Sequence, residues 1–153
     1  MSKYCLDTSS LMEAWVRSYP MDAFPSLWRH IDQMIQDGGF LCPDEVLVEL
    51  ERKDDELHRW AKQRRDLFHP LDNDLQVAVA EILATFPTLV NSKRFRSQAD
   101  PFVIGLARIT GRTVVTEEYA GSATNPRIPY VCTHYGIQCI KLLELIRRQG
   151  WSF

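Results

Sequence analysis

The chain has 153 residues, a length suited to one domain with a single layered core, and the whole of 1–153 is read as that domain. Its 45% hydrophobic and 25% charged residues are ordinary for a globular protein, and a net charge of -2 with a pI of about 6.1 argues against a strongly basic nucleic-acid binder. The opening MSKYCLD has no long apolar run, and no stretch approaches the roughly 18 apolar residues of a membrane span, so a cytoplasmic protein is expected.

KYCLD, residues 3–7, reads as a short buried strand, and TSS after it suits a helix start. Leu11, Ala14, Trp15 and Ser18 trace a short helical face, and YPMDAFP turns. From Pro25 to Asp37, Leu27, Ile31, Met34 and Ile35 recur at helical spacing, and Gly38–Gly39 close that helix. FLC at 40–42 is a strand candidate. PDEVLVELERK, 43–53, opens a helix on proline. The charged DDELHRWAKQRRDLF continues as helix. Residues 72–86 follow as an amphipathic helix with Asp caps.

NSKRFRSQ is a polar connection. Residues 100–110 form a helix, Gly111–Arg112 turn, and TVVT is a β-branched strand. EEYAGSATNPR is a loop, IPYVCTHYG is ambiguous between loop and helical turn, IQCI is a last strand, and 141–149 a last helix. Short apolar strands alternate with helices, and hairpin signals are missing. That pattern predicts an α/β domain with a mostly parallel sheet covered on both faces, whose function gathers beyond the carboxyl ends of the strands.

Cysteines 5, 42, 132 and 139 show no C-x-x-C, and His30, His58, His69 and His134 supply no paired spacing for zinc. Reduced, buried thiols are expected.

The acids carry the chemistry. Asp7 ends the first predicted strand; Thr8 and Ser9 are alternative caps beside it, so the acid is not needed for capping. Glu49 borders the apolar face of its helix, where an exposed Glu49–Lys53 pair is an equal reading; Glu45 shares its face. Asp100 before Pro101 reads as an N-cap, yet Val103, Ile104 and Ala107 put it in line with a buried face. Glu117 and Glu118 follow TVVT; adjacent residues of an extended chain point oppositely, so one of the two faces a site and spacing leaves open which. Carboxylates gathered at one sheet edge repel one another, and a hard divalent cation is the usual solution.

YCLDTSSL, VLVEL, ADPFVIGLA and VVTEE resemble, in order and spacing, the four acid-bearing segments of PIN domains. The ending RIPYVCTHYGIQCIKLLELIRRQGW is similar to a PIN-like subfamily described as DUF4411. The resemblance implies a three-layer α/β/α sandwich with strand order 3-2-1-4-5. It implies a Mg²⁺- or Mn²⁺-dependent ribonuclease, the toxin of a VapC-type toxin–antitoxin pair, with an RNA substrate, a cognate antitoxin and, by analogy, a homodimer. Carried over by residue, the acids are Asp7, Glu49, Asp100 and Glu118. Thr8 and Ser9 follow the first acid, and Thr116 opens the Thr-x-acid motif in which Glu117 is the intervening residue. Glu in the fourth place, Ser9 in place of the frequent Asn, and Pro101 after the third acid depart from the common pattern.

Two basic stretches are RNA-binding candidates. HRWAKQRR, 58–65, offers Arg59 and Lys62 beside Trp60, a charge-and-stacking combination, although a solvated face paired with ERKDDE is preferred for it. KRFR offers Lys93, Arg94 and Arg96 just before Asp100. A PIN fold that has lost activity and binds RNA or protein is the alternative. A phosphoacceptor receiver is disfavoured by Asp7-Thr-Ser-Ser, and a dinucleotide fold by the missing G-x-G-x-x-G.

Overall fold

The computed structural model describes residues 3–90 and 98–153. Strand β1 (Tyr4–Leu6) leads into α1 (Thr8–Met12), which runs on as a wider π turn, Glu13–Ser18. Next come α2 (Pro25–Gln36), β2 (Phe40–Pro43), α3 (Asp44–Lys53), α4 (Asp55–Lys62) and β3 (Phe68–His69). The chain continues through α5 (Asn73–Thr85), α6 (Asp100–Thr110), β4 (Thr113–Val115), α7 (Ile128–His134), β5 (Cys139–Ile140) and α8 (Leu142–Gln149).

Among the described residues the five strands form one sheet of order β3-β2-β1-β4-β5, with every pairing parallel. The fold is an α/β/α sandwich, as expected. The strands are short, and the central β1, β2 and β4 are mostly buried, because both faces of a parallel sheet are covered. Helix α6 packs on β1, β2 and β4, and α5 packs on α6. Gly105 permits that last approach: a Cβ there would stand 3.2 Å from Leu75 Cδ1 and 3.3 Å from Val79 Cγ2.

Strand order reverses between β1 and β4, so a crevice opens beyond their carboxyl ends. Leu6 pairs with Val115 across these two strands. The next residues, Asp7 and Thr116, therefore emerge side by side, and Asp7 N donates to Val115 O at 3.0 Å. Helix α6 runs from this edge to the opposite one. Gly111, at φ +67°, reverses the chain, and β4 returns it. The start of α6 and the end of β4 are thus brought to one place.

Four local expectations change. Residues 54–68 do not continue the helix of 43–53: Asp54 breaks the chain at φ -159° and caps α4 by accepting from Leu57 N at 2.9 Å. Beyond α4 the two-residue β3 pairs Phe68 with Cys42 and His69 with Pro43, too short to leave a periodic signal. Ala99, not Asp100, holds the N-cap position of α6; Asp100 is its first helical residue. The ambiguous 128–134 is a helix, started by Pro129 in its first turn.

Trp60 is buried, with Trp28 at 5.0 Å between ring centroids, so it offers no face to a base; the stacking role read from its neighbourhood is withdrawn. Arg59 and Lys62 are exposed on α4. Among the described residues the ion pair of this stretch is Arg64 with Asp32 of α2, and none joins 58–65 to 51–56. At the other sheet edge, Arg112 is buried and donates to Gly39 O at 3.2 Å and Gly38 O at 3.1 Å. The GR pair is a turn whose arginine ties α6 to the loop before β2.

Candidate metal centre

Asp7 sits where β1 becomes α1. Its extended backbone makes it the N-cap residue, and Oδ1 accepts from Thr8 N at 2.8 Å. The acid does cap the helix, contrary to the expectation that its neighbours make this unnecessary. Oδ2 accepts from Ser9 Oγ at 2.7 Å and Thr116 Oγ1 at 2.8 Å. Each hydroxyl accepts in turn from a backbone amide: Ser9 Oγ from Glu117 N at 2.9 Å, and Thr116 Oγ1 from Glu118 N at 3.1 Å. The turn after β4 thus orients the two hydroxyls that orient Asp7.

Asp7, Asp100 and Glu118 each present one carboxylate oxygen, and the three oxygens lie within 4.8 Å of one another. Asp7 and Asp100 are buried, Glu118 half-buried. Burial, and then the charge of Glu118, raise the Asp7 pKa to about 7 against the lowering effect of the Ser9 and Thr116 hydrogen bonds. Three acids so close are not all stable as anions unless a cation joins them. A set made only of carboxylate oxygens suits a hard divalent ion, and one ion with oxygen contacts of about 2.1–2.6 Å bridges such spacing. The residues present fit a metal.

Glu49 lies outside this trio. It is buried on α3, and its Oε1 accepts from Thr8 Oγ1 at 2.6 Å, so it is joined to the centre through the residue next to Asp7. Glu45, on the same face, is half-buried. The doublet divides its work. Glu118 turns to the cluster, while Glu117 Oε1 accepts from Leu142 N at 3.1 Å and closes the start of α8. Lys93, Arg94 and Arg96 lie outside the described residues.

One participant escapes the sequence reading. Arg127 Nε donates to Glu118 Oε1 at 2.8 Å, bringing a guanidinium into the acid cluster. Burial disfavours its charge, but Glu118, Asp100 and Asp7 outweigh that and raise its pKa. The sequence carried no clear signal for it, because the helix it precedes was ambiguous there; in the structure Arg127 is the N-cap residue of α7, where the helix dipole disfavours a cation. A cation there needs another reason, and the cluster is that reason.

The sandwich, its strand order and the acid cluster at the switch point define a class: the fold is PIN-like, of the VapC type. The chain belongs to the DUF4411 family, described as a domain of unknown function, whose model matches residues 4–153. Among solved structures it is similar to a chain in the crystal structure of VapBC2 from Rickettsia felis bound to a DNA fragment from their promoter. That likeness has a TM-score of 0.50 at 11% identity and covers 90% of this chain and 97% of the other, which is a likeness of fold. No curated protein matches the chain in sequence. Among the described residues no helix is long and apolar enough to cross a membrane.

Proposed function

We propose that this protein is a divalent-metal-dependent ribonuclease that hydrolyses phosphodiester bonds, acting in the cytoplasm as the toxin of a type II toxin–antitoxin pair. The observation that carries the reading is the convergence of Asp7, Asp100 and Glu118 within 4.8 Å at the carboxyl edge of a parallel sheet. Asp7, Asp100 and Glu118 would hold the ion, Mg²⁺ or Mn²⁺ by the oxygen donor set. Such an ion lowers the pKa of a bound water and offsets charge on the attacked phosphate.

The chain's own residues do the rest. Ser9 and Thr116 hold Asp7 at one orientation. Thr8 ties Glu49 to the residue next to Asp7, and Glu49 would orient the attacking water or take a second ion. Arg127 neutralises Glu118, and with a metal held at the cluster its charge would be available for the scissile phosphate. The likeness to a VapBC2 chain supports a partner antitoxin; a homodimer is proposed only from the resemblance to PIN-domain toxins.

Arg127 also supports the second reading, an inactive PIN module that binds RNA or protein, because an internal cation already compensates the cluster. A cleavage assay on RNA separates the two. Cleavage with Mg²⁺ or Mn²⁺ that disappears with EDTA and in Asp7→Asn is the expected result; cleavage that survives either treatment rules out the metal-nuclease reading.

A further inference from the structure

Next to the acid cluster lies an open cavity of about 250 Å³, bordered by Glu118, Tyr119, Pro129, Cys139, Ile140 and Lys141. It is smaller than the roughly 300–1,000 Å³ of pockets for drug-sized ligands. Its walls are mostly apolar, with one acid shared with the cluster and one base. Tyr119 is 82% exposed, so its ring is not part of the core. The Lys141 ammonium stands 5.3 Å from the centre of that ring. Lys141 is also the N-cap residue of α8, a second cation where a helix dipole disfavours one.

We infer that this cavity is a subsite for one nucleotide of single-stranded RNA, its base stacked on Tyr119 and its phosphate held by Lys141. Three features select this occupant. An exposed aromatic ring offers a π-face that every base can use, and an adjacent ammonium meets the backbone charge. Tyr119 directly follows Glu118, so a base on its ring belongs to a nucleotide flanking the phosphate at the cluster. A basic peptide side chain would instead meet the like charge of Lys141. The inference rests on reading the cluster as a phosphodiesterase centre.

The test is fluorescence anisotropy of a labelled single-stranded RNA decamer with the full chain, in Ca²⁺ buffer, with cleavage followed separately in Mn²⁺. Tyr119→Ala weakens binding about five- to a hundred-and-fiftyfold, the worth of one stacked base, whereas Tyr119→Phe keeps the ring and the affinity. Lys141→Met lowers the slope of log affinity against log salt by about 0.7, one phosphate contact on a single strand. Equal affinity of Tyr119→Ala and the parent overturns the subsite and leaves the nuclease reading standing. RNA binding that depends on Tyr119 without cleavage in Mn²⁺ supports the subsite and removes the nuclease reading. A parent protein that binds no RNA in Ca²⁺ overturns the subsite, while the Mn²⁺ assay decides the nuclease reading independently.

Discussion

Arg127 and Glu118 form an ion pair at 2.8 Å in which the acid also belongs to a cluster with Asp7 and Asp100. The pair is partly buried, with Glu118 8% and Arg127 36% exposed, so it ranks between solvent-exposed and fully buried pairs. A metal ion bound at the cluster would compete with the arginine for the same carboxylate.

Arg127→Met is accordingly expected to lower the stability of the metal-free protein by about 1–2 kcal/mol. The same change makes Glu118 more available, so Mn²⁺ raises the melting temperature more than in the parent. Differential scanning fluorimetry with and without Mn²⁺ measures both. An unchanged metal response would mean that Arg127 does not compete for the site.

Asp7 gives a pH dependence with a definite sign. Its folded-state pKa is raised to about 7, above an ordinary aspartate. Between the two values the folded chain holds a proton that the unfolded chain has lost, so stability falls as pH rises through this window. The effect is fully present above about pH 7. Asn caps a helix as well as Asp does, so Asp7→Asn removes the charge and keeps the cap. Metal-free Asp7→Asn should match or exceed the parent in melting temperature, by a margin that widens from about pH 4 to 7. A gap that does not change with pH refutes this account.

The same proton opposes metal. Asp7 must give it up to become a ligand, so Mn²⁺ affinity rises from pH 6 to pH 8, with proton release at the lower pH. Titration calorimetry in two buffers of different ionisation enthalpy measures the protons released. No release at pH 6 would contradict a raised Asp7 pKa.

Glu117 and Glu118 separate by readout. Glu117→Ala removes the acceptor at the start of α8 and costs about 1 kcal/mol, as lost helix caps do, with the Mn²⁺ response retained. Glu118→Ala loses the Mn²⁺ response. If both variants lose it equally, the division of roles within the doublet is wrong.

Arg112 tests scaffold against site. Its guanidinium serves the carbonyls of Gly38 and Gly39 at the edge opposite the acids. Arg112→Met is expected to destabilise by about 2–3 kcal/mol while Mn²⁺ affinity stays at the parental value. A change in affinity would show that the two edges are coupled.

The alternation of buried strands with helices is written in local chemistry: β-branched and apolar runs, proline and Asp at helix starts, and glycine at their ends. Those signals sufficed for the layered parallel sheet, because burial on both faces demands near-continuous apolar strands. They sufficed also to single out acids standing beside strand ends and helix starts. Strand β3 escaped because two residues carry no period, and the break at Asp54 escaped because a cap inside a charged run resembles a continuing helix. The partners of each acid are a different matter. Whether Glu117 or Glu118 turns inward depends on the start of α8, 25 residues on. Arg127 reaches Glu118 after a loop that no pattern spans, and Thr116 meets Asp7 across 109 positions because β1 and β4 pair in register. Hydrogen bonds and charge pairs fall off within a few ångströms. Sequence determined which residues stand at the sheet's carboxyl edge, and only the tertiary structure decided which of them come within that range.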